Sequence, residues 1–112
     1  MSDVTDAAAK FVRQIVAGNT DAAHEILSDR LAADIAASDL LTHFAALSED
    51  MGGVTGVGQP MVILEDWPEK SEEDRAIVYV PLEGDEFSEA ITVTVSAQNG
   101  DLRISSIEWG RP

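Results

Sequence analysis

The chain has 112 residues, a length that fits one domain built on a single hydrophobic core. Hydrophobic residues make up 45% and charged residues 25% of the sequence, which is the composition of a folded globular protein and not of a disordered chain. The 21 acidic residues against 7 basic ones give a formal charge of −14. This balance argues against nucleic acid and anionic membranes as partners, because both are bound through clustered Lys and Arg.

The absence of cysteine excludes disulfides, thiolate metal sites and cysteine nucleophiles. No apolar run approaches the roughly 18 to 20 residues of a membrane span, and the segment MSDVTDAAAK is acidic where a signal peptide is basic. We therefore expect a cytoplasmic protein. The excess of acid, with only two Lys and abundant Ala, resembles proteins adapted to a high-salt cytoplasm; the alternative is an acidic surface that docks on a basic partner.

The first predicted helix covers residues 5–17, with Thr5 as its N-cap and Gly18-Asn19 as its left-handed end. The polar residues Lys10, Arg13 and Gln14 occupy its other face. Its apolar residues recur at helical spacing: Val4, Ala8, Phe11, Val12, Ile15 and Val16.

Three more helices are predicted in the first half of the chain. Two are short: one starts at Thr20-Asp21, and the next is capped by Ser28-Asp29. A longer helix is capped by Ser38 and ends at Gly52-Gly53. Its apolar stripe consists of Leu40, Leu41, Phe44, Leu47 and Met51.

The second half is richer in Val, Ile and Thr and predicts an antiparallel meander of four strands. The strands are 54–66 with a bend at 56–60, then 75–82, 87–97 and 102–109. Asn99-Gly100 is a strong signal for a tight hairpin turn between the last two.

Alternation assigns the faces of the predicted sheet, because Ile91, Val93 and Val95 alternate with Thr92, Thr94 and Ser96. The strand AIVYVPL is apolar on both faces, so we place it centrally. Its second face then needs a cover other than the helices, for which a partner subunit is a candidate. We expect Val78 and Val80 to lie on that outer face.

The order of these elements resembles the nuclear transport factor 2-like superfamily. The resemblance lies in the helix ended by Gly18-Asn19, the DAAHEIL helix, the helix with Leu40, Phe44 and Leu47, and the meander closed by NGDLRI. It implies one α+β domain over residues 1–112, with the N-terminal helices packed in the concave face of a curved antiparallel sheet of about four strands, and a pocket inside this cone.

Members of the superfamily include ketosteroid isomerase-like enzymes, epoxide hydrolases, polyketide cyclases, transport adaptors and domains of unknown function. The isomerase-like members use a tyrosine on a helix together with pocket acids. The first helix here carries Phe11 and Ile15 and no tyrosine, which counts against an isomerase. The fold alone does not select among these activities.

Catalytic and metal motifs are missing from the sequence. His24 and His43 each lack a metal ligand four residues later, where Ser28 and Leu47 stand, and no calcium-binding loop motif is present. We predict no metal, no organic cofactor and no catalytic residue. We interpret both histidines as residues on the flank of a helix, at the boundary between its apolar and polar sides. The segment GGVTGVG follows a helix and leads into a strand, the reverse of a phosphate-binding loop.

The remaining candidates are apolar pocket residues and two acids. We predict ligand binding by the larger apolar side chains Phe11, Phe44, Met61, Tyr79 and Trp109, with plain core packing as the alternative. Asp66 and Glu108 lie beside tryptophans, where an apolar wall would raise a carboxyl pKa, but exposed rim positions are favoured.

The leading hypothesis is a non-catalytic binding or protein-interaction domain with an apolar pocket for a small apolar ligand, forming a homodimer through the outer sheet face. The alternative is a cofactor-independent isomerase, hydrolase or cyclase that acts on a small apolar molecule in the cone pocket.

Overall fold

Helices precede strands in the computed structural model, which describes residues 3–110, and the predicted α+β class is confirmed. None of the described helices combines the length and apolar content of a membrane span. The helices are α1 (Asp3–Val16), α2 (Thr20–Glu25), α3 (Asp29–Asp34) and α4 (Ala37–Met51). The strands are β1 (Val54–Val57), β2 (Met61–Leu64), β3 (Asp74–Gly84), β4 (Glu89–Gln98) and β5 (Asp101–Trp109).

The ends of α1 differ in how well the sequence predicts them. Thr5 lies inside α1, which already includes Asp3, so its assignment as N-cap is wrong. The helix includes Val4, which packs against the core. The C-terminal end is confirmed: Gly18 has a φ of +85°, and the Asn19 N–H donates to the Gln14 carbonyl at 2.9 Å.

Of the two serines predicted as N-caps of later helices, one forms the capping hydrogen bond and the other does not. Ser28 caps α3 as predicted, since its Oγ accepts the Leu31 N–H at 3.3 Å. Ser38 is not the cap of α4, because α4 begins one residue earlier, at Ala37. There the Asp39 carboxylate accepts the Ala36 N–H at 2.8 Å and satisfies the helix start from its third position.

The antiparallel sheet has the order β1-β3-β4-β5, with β2 also paired to β3. The first predicted strand is therefore two strands, which makes five in place of four. β1 pairs with the end of β3, and β2 pairs with its first half. The hairpin between β4 and β5 is as predicted, with Asn99 at φ 52° and Gly100 at φ 86°.

The core lies between the helices and the inner face of the sheet. From β3 the inner face takes Val78, Val80 and Leu82, all at 0% exposure, and from α1 it takes Phe11 and Ile15. Val78 and Val80 are thus inner residues, and their predicted outer position is wrong. Both sides of β3 are apolar, so the alternation alone does not reveal which side meets the helices. The outer side of β3 carries Ile77, Tyr79 and Pro81, each half-buried.

The free edge of β5 is partly covered by the segment that joins α2 to α3. The Ile104 N–H donates to the Ile26 carbonyl at 2.9 Å, and the Ser28 N–H donates to the Ile104 carbonyl at 2.8 Å. Leu27 between them is 2% exposed and forms a parallel bridge with Ile104. These bonds satisfy part of an edge that is otherwise open to other chains.

Candidate functional site

The five predicted ligand residues lie on both faces of the sheet. Phe11 is fully buried in the core, and Phe44 and Trp109 are half-buried against the same core. Met61 and Tyr79 are directly paired across β2 and β3 on the outer face, where Met61 is 51% exposed. The structure therefore brings together Met61 with Tyr79 but does not join all five residues in one pocket.

The histidines connect secondary-structure elements. The ring of His43 on α4 stacks on Trp109 at the end of β5, with centroids 5.4 Å apart and planes 11° from parallel. His24 Nε2 lies 2.7 Å from the Ile35 carbonyl oxygen, which joins α2 to the end of α3. Asp66 and Glu108, the two candidate acids, are both exposed.

One half of the outer face is apolar. Across β2 and β3, Met61 pairs with Tyr79 and Leu64 pairs with Ile77, and Pro81 follows on the same side of β3. We call these five residues the apolar half. Met61 and Leu64 are 51% and 45% exposed. No charged residue belongs to this set, although the chain as a whole carries −14.

The other half of the outer face is lined with hydroxyl groups. We define this hydroxyl half by the Ser and Thr residues that β4 and β5 present there, namely Thr92, Thr94, Ser96, Ser105 and Ser106; Glu108, paired with Thr92, lies on the same face. The register of the sheet shifts at Arg75 in β3 and at Ser105 in β5, so an irregularity flanks β4 on each side near Ser96. Such irregularities bend a strand and change the direction of its side chains.

A hydrogen-bonded chain of side chains connects the hydroxyl half to the start of β3. The Ser96 hydroxyl, 4% exposed, donates to Asp74 Oδ1 at 2.6 Å and lies 2.6 Å from Ser105 Oγ. The other Asp74 oxygen accepts the Ser71 N–H at 3.1 Å. These contacts join the loop before β3 to β4 and β5.

Desolvation would raise the pKa of Asp74, but hydrogen bonds from Ser96 and Ser71 and the nearby charge of Lys70 outweigh it, so the pKa of this carboxyl is lowered. Asp74 is therefore ionised at neutral pH. A general base that activates a serine needs a pKa near the working pH. The chain from Ser105 through Ser96 to Asp74 is thus poorly suited to nucleophilic catalysis and well suited to fixing the positions of hydroxyl groups.

A cleft of about 590 Å³ opens over the hydroxyl half. Its floor includes Thr94, Ser96, Ser105 and Ser106. One wall is the loop before β3, which contributes Trp67, and the other is α3 with Ser28 and Arg30. The remaining lining residues are Leu31, Asp34, Ser71, Glu73, Asp74, Ala97 and Gln98.

Sequence reasoning missed this cleft, although part of its signal was present. The alternation of Thr92, Thr94 and Ser96 with apolar residues does identify a polar sheet face. The two irregularities and the approach of α3 depend on pairing between distant segments, which local patterns do not encode.

Within residues 3–110, no group of three or more His, Asp or Glu residues is placed to hold a metal ion.

Comparison with protein-family models, curated proteins and solved structures found no match to this chain. The resemblance to the nuclear transport factor 2-like superfamily therefore stays a prediction.

Proposed function

We propose that the chain is a non-catalytic protein-interaction domain that forms a homodimer through the apolar half of its outer face. The observation that carries this proposal is the pairing of exposed Met61 and Leu64 with Tyr79 and Ile77 on the outer sheet face, opposite the side that packs against α1. Burial of such side chains favours association by roughly 25 cal/mol for each Å² of apolar surface removed from water, before the costs of binding are subtracted.

Charge supports a second copy of the chain as the partner. Two molecules of −14 repel each other wherever their carboxylates meet. The apolar half contains no carboxylate, so two copies that dock there keep like charges out of the centre of contact. A basic partner, by contrast, would gain most at the acidic surfaces and little at this one.

The apolar half of the outer face is a better contact than the open edge of β2. Among the described strands, β2 pairs only with β3, but it has four residues and a register shift between Val62 and Leu64. Short, irregular edge strands are poor templates for strand addition. The proposed dimer therefore rests on side chains of the face.

The alternative of a cofactor-independent isomerase, hydrolase or cyclase has less support. Such an enzyme, like a small apolar ligand, needs an open space inside the cone, whereas Phe11, Leu40 and Met51 are at 0% exposure in a continuous core. None of these residues lines the cleft over the hydroxyl half. We retain a cytoplasmic location as part of the proposal, together with adaptation to high salt, which the charge of −14 supports.

The experiment uses a matched pair of substitutions at residues of equal exposure. Met61 in the apolar half and Leu41 on α4 are both 51% exposed. We expect the wild type to sediment as a dimer at tens of micromolar, in keeping with a Kd on the order of 1 μM. Met61→Glu should sediment as a monomer, and Leu41→Glu should remain a dimer.

A second pair of variants separates apolar contact from charge. Met61→Lys lowers the net negative charge yet removes the same apolar surface, so it should also give monomers. Leu64→Glu repeats the test at the other exposed position. A monomeric wild type, or equal effects of Met61→Glu and Leu41→Glu in folded proteins, would overturn the proposal.

A further inference from the structure

The cleft over the hydroxyl half has features of a built binding site. Its deepest group, Ser96, is held by hydrogen bonds to Asp74 and Ser105, so the floor has a fixed arrangement of donors and acceptors. Trp67 stands at one wall as a half-buried indole. The volume of about 590 Å³ lies within the usual range of roughly 300 to 1,000 Å³ for small-molecule sites.

The lining disfavours anionic and strongly apolar ligands. Arg30 is the one cationic residue of the lining, against the carboxylates of Asp34, Glu73 and Asp74, and Lys70 Nζ lies over the Trp67 ring at 5.7 Å from its centroid. Leu31 and Trp67 are the only larger apolar side chains in its lining. Ligands with a phosphate or carboxylate group would meet repulsion, and apolar ligands would leave the serine hydroxyls without partners.

An organic cation is a weaker candidate than a neutral polar ligand. Both oxygens of Asp74 already accept hydrogen bonds, from Ser96 and Ser71. Asp34 and Glu73 are exposed, where water and salt reduce the value of an ion pair. The fixed groups of the cleft are therefore hydroxyls together with one carboxylate, Asp74, both of whose oxygens are already hydrogen-bonded.

We propose that this cleft binds a neutral saccharide of one or two rings. Hydroxyl groups of a sugar both donate and accept hydrogen bonds, which matches the hydroxyls of Thr94 and Ser106 and the acceptor oxygens of the rim. The less polar face of a sugar ring packs on an aromatic surface such as Trp67, whose indole N–H donates to a ring hydroxyl. The site is separate from the apolar half and does not depend on the proposed dimer.

The test is a two-dimensional ¹H–¹⁵N NMR titration with four probes, namely glucose, galactose, maltose and cellobiose. We expect at least one to produce saturable shifts at the Trp67 indole N–H and at the amides of Thr94 and Ser106, with a Kd on the order of 1 mM. Because the ligand is uncharged, the affinity should be the same at low and high potassium chloride.

Two variants and one control locate the binding. Trp67→Ala removes the aromatic wall, and Thr94→Val replaces one floor hydroxyl with a methyl group of similar shape. Each should weaken binding about tenfold, an effect worth about 1.4 kcal/mol. Phe87→Ala removes an aromatic residue that is 63% exposed and lies outside the cleft lining, and it should leave the affinity unchanged.

Several results would overturn the proposal. One is the absence of saturable shifts with all four sugars. Another is sugar binding that persists unchanged in both folded variants, Trp67→Ala and Thr94→Val. A third is binding of spermidine that disappears at high salt while no sugar binds, since this result would assign the cleft to organic cations. The titration is repeated on Met61→Glu, whose cleft lining is unaltered, so a failure of the dimer proposal does not affect the outcome.

Discussion

The substitution Phe11→Ala tests whether the interior of the cone is a packed core or an adaptable ligand pocket. Phe11 is at 0% exposure between α1 and the inner face of the sheet. Its removal leaves a large cavity among residues held by the helices on one side and the strands on the other. Phe87, at 63% exposure, supplies a control with the same chemical change at the surface.

The magnitude follows from the burial of each side chain. Truncation of a buried Phe to Ala costs about 3 to 5 kcal/mol of the free energy of unfolding. A domain of 112 residues has about 6 to 17 kcal/mol in total, so the variant should still fold. With an unfolding entropy of about 0.24 kcal/mol/K for this length, the melting temperature should fall by about 13 to 21 °C. Phe87→Ala should change the free energy of unfolding by less than about 0.5 kcal/mol.

Urea denaturation followed by far-ultraviolet circular dichroism measures both variants on the same scale. An unchanged slope with urea shows that the midpoints report stability and not a change in the unfolded state. If Phe11→Ala lowers the free energy of unfolding by less than about 1 kcal/mol, our reasoning is refuted, because truncation of a packed core residue of this size has a larger effect. That result would favour an open pocket and, with it, the enzyme alternative.

Three further predictions concern salt, pH and backbone space. Thermal melts should show a melting temperature that rises with potassium chloride from about 0.01 to 1 M, as the Debye length falls from about 30 to 3 Å and screens the charge of −14; a flat profile contradicts this. The pKa of Asp74 is lowered in the folded protein, so its contribution to stability is present above the unfolded pKa and is lost as pH falls through the folded pKa. In urea titrations, Asp74→Asn should therefore lose less stability at acidic pH than the wild type. An equal acid-side loss in this variant would exclude the Asp74 contacts as its source. Gly84→Ala should lower the free energy of unfolding by about 1 to 3 kcal/mol in the same urea assay, since the added Cβ would overlap the Phe87 carbonyl oxygen and approach Met51 Cβ to 2.8 Å. An unchanged free energy of unfolding would mean that the backbone after β3 shifts to make room for the methyl group.

Local chemistry explains the parts of the fold that the sequence predicts well. Gly18, Gly52 and Gly100 occupy left-handed conformations that few other residues accept, so each marks an end or a turn wherever the chain places it. Ser28 identifies its own helix start in the same way. These signals involve residues no more than five apart and need no knowledge of the tertiary structure.

Features that depend on distant partners are poorly predicted. The division into β1 and β2 arises from how residues 54–64 pair with β3, and the inner position of Val78 depends on where α1 lies. The cleft is lined by Ser28, Trp67 and Ser96, three residues that are far apart along the chain. The five predicted ligand residues divide between the two sheet faces, with Phe11, Phe44 and Trp109 at the core and Met61 and Tyr79 outside, because aromatic and apolar character does not say which face a residue joins.

The bond pattern between the α2–α3 segment and β5 has a consequence for the order of folding. The Ile26 carbonyl and the Ser28 N–H both bond to the backbone of Ile104, so a growing chain completes this contact only after more than 70 further residues have been synthesised. Contacts of such long sequence separation form slowly. Until β5 arrives, β4 is an exposed edge with Ile91, Val93 and Val95 uncovered on one side, a template for association with other unfinished chains. Residues 1–98 already contain 19 acidic and 5 basic residues, so the charge of −14 is complete when β4 ends and keeps such nascent chains apart during that interval.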